Sequence, residues 1–205
     1  MTVEIISGLK FGSLGKNTIH LCIDMQLMFA FETKWASESI WKALPAVEAL
    51  CSQYTSKTVF TRFLCPKNLD ETSGQWTRFY ADAAGMLCDN MNPQMMDLLP
   101  EVKRFCPPAA IVDRKVFSAF ASPGLRELLI QRSIDTLVIS GFETDVCVLA
   151  TILAAIDRGF RVVVVKNALA SSNAEGEKAA LHGVFPRFDQ QIEVVDSDLL
   201  LRSWE

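Results

Sequence analysis

Thr136-Leu-Val-Ile-Ser-Gly-Phe-Glu-Thr-Asp-Val-Cys147-Val-Leu-Ala-Thr-Ile-Leu-Ala-Ala-Ile156 is the stretch on which the reading of this chain turns. The apolar run 137–139 predicts a buried strand, broken at Ser140-Gly141, with a long apolar helix opening near Thr144. Cys147 then falls in the first helical turn, just past the carboxyl end of a strand. Unpaired N–H groups and the positive end of the helix dipole meet there, and both favour a thiolate over a thiol. A cysteine so placed is a candidate nucleophile if the rest of the chain supplies partners. Alone, it reads more readily as core filling than as a nucleophile, since free cysteine is among the most buried residues.

Working outward, strand-like runs recur at Thr18–Ile23, Thr58–Arg62, Ala110–Asp113, Thr136–Ser140, Arg161–Val165 and Gln191–Val195. Helical spacing fills the gaps. Ile40, Leu44, Val47, Cys51 and Tyr54 line one face, with Pro45 expected to kink or restart that helix. Ser122-Pro123 reads as an N-cap followed by a first-turn proline, and Gly159 as the residue ending the helix that Thr144 opens. Alternation of this kind predicts one α/β domain over residues 1–205. The expected fold is a Rossmann-like three-layer α-β-α sandwich around a mostly parallel sheet of about six strands, with the site at the strands' carboxyl ends. The stretch Phe63–Pro108 lacks strand character and is expected to carry short helices that line or cover the site.

Composition narrows the function classes. With 50% apolar residues over 205 positions, a sizeable core needs no disulfide staples. A net charge of −4, without a basic cluster interleaved with aromatics, argues against nucleic acid as a partner. The longest near-continuous apolar run, Val146–Ile156, is about half of what spans a bilayer. Residues 1–10 have neither a basic start nor a long apolar core, so no signal peptide is read there and a cytoplasmic protein is expected. Six cysteines form no C-x-x-C pair, and the two histidines, His20 and His182, stand far apart. No metal site and no cofactor are therefore expected. Gly12-Ser-Leu-Gly-Lys16 lacks phosphate-loop spacing and precedes a strand instead of following one.

Strand ends supply the partners. Thr18–Ile23 runs into Asp24, and a carboxylate after an apolar run is costly unless it is paired or solvated. Ile111-Val-Asp113 runs on through Arg114 to Lys115. An Asp, a Lys and a Cys are thus expected to share one crevice.

Asp24-Met-Gln…Phe29, Lys115-Val-Phe-Ser-Ala-Phe120 and Gly141-Phe-Glu-Thr-Asp-Val-Cys147-Val together resemble the isochorismatase-like cysteine hydrolases. That superfamily includes nicotinamidases, carbamoyl-compound amidases and isochorismatases. The three segments occur in the family's order and spacing, and the resemblance covers nearly the whole chain. It implies a catalytic triad of Asp24, Lys115 and Cys147, and a cis peptide between Phe142 and Glu143. It also implies an oxyanion hole built from the N–H groups of Glu143 and Cys147. The implied activity is hydrolysis of a C–N bond in a small amide, carbamoyl or imide-like molecule through an acyl-enzyme on Cys147. The small molecule is then the partner, together with further copies of the chain in a dimer or tetramer.

Residues 61–80 contain no histidine, unlike the metal-dependent nicotinamidases, so the resemblance points to the metal-free branch. Gln26, Phe29, Trp76, Phe120 and Phe142 are the candidate substrate-binding residues; each reads also as core or as support for Asp24. Two rival readings are a vinyl-ether hydrolase of the isochorismatase type and a silent family member that binds a ligand or partner. A silent protein has no physical need for all three triad residues.

Overall fold

A computed structural model describes residues 9–204. The expectation of no signal peptide rests on residues 1–10 and lies almost wholly outside them. Six strands, β1 (Thr18–Ile23), β2 (Thr58–Phe63), β3 (Ala110–Arg114), β4 (Thr136–Phe142), β5 (Arg161–Ala170) and β6 (Ile192–Val195), form one sheet. Their order is β3-β2-β1-β4-β5-β6, and every neighbouring pair is parallel. The strand order reverses between β1 and β4, the crevice where ligands bind in open α/β sheets.

Among the described residues seven α-helices accompany the strands: α1 (Ile40–Gln53), α2 (Gln75–Asp82), α3 (Pro100–Lys103), α4 (Pro123–Gln131), α5 (Leu149–Ile156), α6 (Ala174–Ala179) and α7 (Ser197–Ser203). Two apolar cores follow from the alternation of side chains along the strands. On one face Cys22, Phe60, Val138 and Val163 pack with α1, α7 and the 63–108 segment. On the other, Leu21, Val59, Leu137 and Val162 pack with α4 and α5. The α-β-α sandwich is thus present, and its sheet is wholly parallel. No helix among the described residues is long and apolar enough to cross a membrane.

Three local expectations need correction. Ser140-Gly141 does not end β4, which runs on to Phe142 across a bulge against β5. Gly141 takes φ +115°, and a Cβ there would lie 2.0 Å from the Ile23 carbonyl oxygen. The break residue is instead what lets β4 lie close against β1 beside Asp24. Pro45 sits inside α1 without interrupting it. Thr144 opens not a regular α-turn but a wider π-turn over Thr144–Val148, which leads directly into α5. At the far end, Phe160 N–H donates to the Ala155 carbonyl and Gly159 N–H to that of Ile156, with Gly159 at φ +81°. That is a Schellman stop, as expected for a glycine at C′.

Candidate active site

Asp24 leaves the end of β1 at φ +49°, a conformation uncommon outside glycine, and is fully buried. Its Oδ1 accepts from Thr61 Oγ1 at 2.6 Å, and its N–H donates to Thr61 Oγ1 and to the Thr61 carbonyl, both at 3.3 Å. Thr61 is level with Ile23 in the β1–β2 register, so the sheet itself places the hydroxyl beside the carboxyl.

The cation on Asp24 is Arg114, not Lys115. Arg114 Nη2 donates to Asp24 Oδ2 at 2.5 Å and to the Phe117 carbonyl at 3.0 Å, and both side chains of this pair are fully buried. The Lys115 side chain is 64% exposed and reaches Glu71 at 3.5 Å. Strand period explains the difference of one residue. Along β3, Val112 and Arg114 are buried while Ile111 and Asp113 turn to the other face, where Asp113 pairs with Arg62. Counting by twos from Val112 reaches Arg114. The long guanidinium then spans the end of β2 to reach β1.

Cys147 completes the group. It is buried, and its thiol lies close enough to the Asp24 carboxyl and the Arg114 guanidinium for each to bias the others' protonation. Thr151 Oγ1 donates to the Cys147 carbonyl at 2.7 Å and accepts from Ala119 N–H at 3.0 Å, tying the π-turn to the loop after β3. Burial pushes the Cys147 thiol well above its ordinary value; the Asp24 charge adds to this, and Arg114 opposes it. The resting sulfur is therefore a protonated thiol, and the thiolate expected from the helix end does not form without a base. Asp24 is likewise raised, by burial first, against the lowering effects of Arg114, Thr61 and Cys147. Burial thus favours the protonated form of both the oxygen and the sulfur, beside a fixed positive charge.

The Phe142–Glu143 peptide is cis. The Glu143 carbonyl accepts from the N–H groups of Val146 and Val148 at 3.2 and 3.0 Å, anchoring the π-turn. The Glu143 carboxylate bonds both the N–H and the hydroxyl of Ser172.

A cavity of about 180 Å³ opens over Cys147. Phe29, Trp35, Phe63, Phe79, Phe117, Glu143 and Val146 line it with the cysteine. Of the residues read from sequence as substrate-binding, Phe29 is in this lining. Phe142 is fully buried beneath it, with its ring 5.3 Å from that of Phe29. Trp76 stands behind the wall, 4.9 Å from Phe117 and 5.3 Å from Phe79.

Two of those readings fail. Gln26 spends its whole amide on the backbone: Nε2 donates to the carbonyls of Phe63 and Met96, and Oε1 accepts from Phe63 N–H. It stitches β1 to β2 and to the 93–98 segment, with both N–H donors used and the side chain wholly buried. Phe120 lies on another surface, packed on Phe160 at 5.7 Å and under Arg158. Trp35, Phe63, Phe79 and Phe117 escaped the sequence reading because aromatics in a segment without clear periodicity carry no facing information. The segment containing Phe63 and Phe79 does line the site, as anticipated. Among the described residues no three His, Cys, Asp or Glu side chains are grouped to hold a metal.

An open parallel α/β sheet of this order has known counterparts. Residues 18–196 match the isochorismatase domain, and the chain belongs to that family. It is 44% identical over 70 residues, 34% of its length, to the isochorismatase family protein PncA of Bacillus subtilis. It is 26% identical over 92 residues, 45% of its length, to a maleamate amidohydrolase of Pseudomonas putida. These matches span 38% and 43% of the two relatives. The crystal structure of a cysteine hydrolase from Pseudomonas syringae superposes with a TM-score of 0.81 at 18% identity, covering 96% of this chain and 97% of the other. That likeness establishes the fold.

Proposed function

We propose that this chain is a cysteine hydrolase that cleaves the C–N bond of a small amide, carbamoyl or imide-like substrate through an acyl-enzyme on Cys147. The observation that carries the reading is the buried contact of the Cys147 thiol with Asp24, whose carboxylate is held by Arg114. The relative named as an amidohydrolase is consistent with it.

The chemistry follows from the residue types. Asp24 accepts the thiol proton as the sulfur attacks the carbonyl carbon, and its raised affinity for a proton suits it to that task. Arg114 keeps its charge at every working pH and stabilises whichever of Asp24 and Cys147 bears the negative charge. The tetrahedral oxyanion is assigned to the N–H groups of Glu143 and Cys147; such donors are worth about 3 to 4 kcal/mol each to an acyl-transfer transition state. The C–N bond breaks as protonated Asp24 gives its proton to the leaving nitrogen. A water, deprotonated by the same Asp24, then hydrolyses the thioester and restores the thiol.

Ammonia release across small amides, ureas and carbamoyl compounds tests this, with intact-mass detection of an acyl adduct on Cys147. Turnover with an adduct that vanishes in Cys147→Ala is the expected result. Equal turnover by Cys147→Ala and wild type overturns the nucleophile assignment. Hydrolysis of a vinyl ether with no amide turned over replaces the reading with its rival.

A further inference from the structure

The cavity over Cys147 is unusual in what it lacks. Five of its eight lining residues are aromatic, and none is lysine, arginine or histidine. Three cations around the site are engaged: Arg114 on Asp24, Arg62 on Asp113 and Asp97, and Lys115 outward on Glu71. The ring of Phe63 lies 5.2 Å from the Arg114 guanidinium, which is itself closed off from solvent. The one acidic residue in the lining, Glu143, turns its carboxylate onto Ser172. Its single neutral side-chain N–H donor, the Trp35 indole, belongs to a ring wedged among Phe79, Phe63 and Phe29 at 5.6, 6.0 and 6.3 Å.

Resting on the amide-hydrolase reading, we propose that this cavity selects an uncharged hydrocarbon acyl group, a phenyl ring or a branched alkyl chain, attached to a carboxamide, and turns away acyl groups that carry a carboxylate. Two physical terms drive the selection. An anion entering among aromatic side chains loses its hydration and finds no partner charge in the lining. A hydrocarbon of matching size gains about 25 cal/mol for each Å² removed from water. The size fits: a cavity near 150 Å³ lined by apolar side chains takes up benzene, and about 180 Å³ leaves room for a ring and its carboxamide. A heteroaromatic ring nitrogen is a milder case of the same penalty, since it gives up its hydrogen bond to water on entering the aromatic wall.

Benzamide, nicotinamide and maleamate (an acyl group ending in a carboxylate) separate these effects on the full chain. Their kcat/KM values are read by ammonia release, and their binding to Cys147→Ala by calorimetry. Benzamide is expected to lead maleamate by about a hundredfold and nicotinamide by a few-fold. Phe79→Arg places a guanidinium in the wall and is expected to move the ratio toward maleamate by about tenfold. Nicotinamide or maleamate equalling benzamide in turnover or in binding overturns the proposal, as does an unchanged ratio in Phe79→Arg. Selective binding of benzamide to Cys147→Ala while the wild type turns over none of the three leaves the selectivity standing and overturns the carboxamide-hydrolase reading instead.

Discussion

His20 and Asp24 stand four residues apart on β1 and its carboxyl end, both wholly buried, and the molecule treats them in opposite ways. Thr58 spends its hydroxyl proton on the Tyr54 carbonyl at 2.9 Å, so it accepts from His20 Nδ1 at 3.2 Å. Nε2 is then left to accept from the Ser140 hydroxyl at 2.6 Å. The imidazole is neutral, both nitrogens are partnered, and burial pulls its pKa down to about 3. Asp24 also has a neutral partner in Thr61, but it stands beside groups that are charged or reactive: the Arg114 guanidinium and the Cys147 thiol. Arg114 keeps Nε and Nη1 buried with no hydrogen-bond partner among the described groups. A satisfied neutral cluster stiffens the sheet, whereas a charged cluster with donors to spare beside a cavity is arranged for chemistry.

The largest effects should come from breaking the charged cluster. Cys147→Ala and Asp24→Asn are expected to lower kcat/KM by about a thousandfold or more while circular dichroism stays native. Retention of more than a tenth of the activity by either would separate that residue from the chemistry. Arg114→Met should remove most activity and cost about 3 to 5 kcal/mol of stability, because it strands a buried carboxylate. Arg114→Lys keeps the charge, and should recover part of the activity at a reduced level, since a lysine cannot reproduce the fork geometry. Lys115→Ala is the discriminating control, expected to stay within about twofold of wild type as an exposed ion pair should. A severe loss in Lys115→Ala with a mild one in Arg114→Lys would reverse the assignment.

The neutral cluster should show itself in stability and not in rate. The folded-state pKa of His20 lies below its unfolded value near 6.5, so the unfolded chain binds the extra proton between about pH 6.5 and 3. Stability then falls as pH drops through that window, by about 1.4 kcal/mol per unit from this group once below its unfolded pKa. Urea midpoints at pH 7 and pH 4.5 test this: the drop should shrink in His20→Gln, and an identical drop in both proteins would exclude His20 as the source.

The smallest effect concerns Thr61, which links the two behaviours by partnering Asp24 with a neutral group. Activity should rise with pH as Asp24 loses its proton, with a midpoint above the ordinary carboxylate value near 3.9. The Thr61 hydrogen bond lowers the pKa of Asp24, so Thr61→Val is expected to move this acid limb to higher pH. A purely structural role would lower kcat evenly across pH and leave the midpoint in place.

Much of this architecture is legible along the chain. The six strands fall where apolar runs were read, within a few residues at most boundaries, because burial on both faces of a parallel sheet writes itself as continuous apolar sequence. Asp24 and Cys147 were visible because a polar or reactive group at the end of such a run needs a reason. Arg114 was missed by one position: adjacent Arg and Lys look alike as charges, and only the facing of β3 distinguishes them. The aromatic wall was missed more completely, since Trp35 and Phe79 reach Cys147 from segments without a strand period.

From local pattern alone the chain determined its layers, its parallel sheet and two of the three groups that meet at the switch point, because periodicity and strand ends are short-range properties. Which cation serves the acid, whether the sulfur rests as thiol or thiolate, and what kind of wall faces the substrate were decided only by tertiary packing. Each depends on burial and on partners brought together across the sheet, Thr61 37 residues and Arg114 90 residues from Asp24, and no local pattern encodes a distance of that kind.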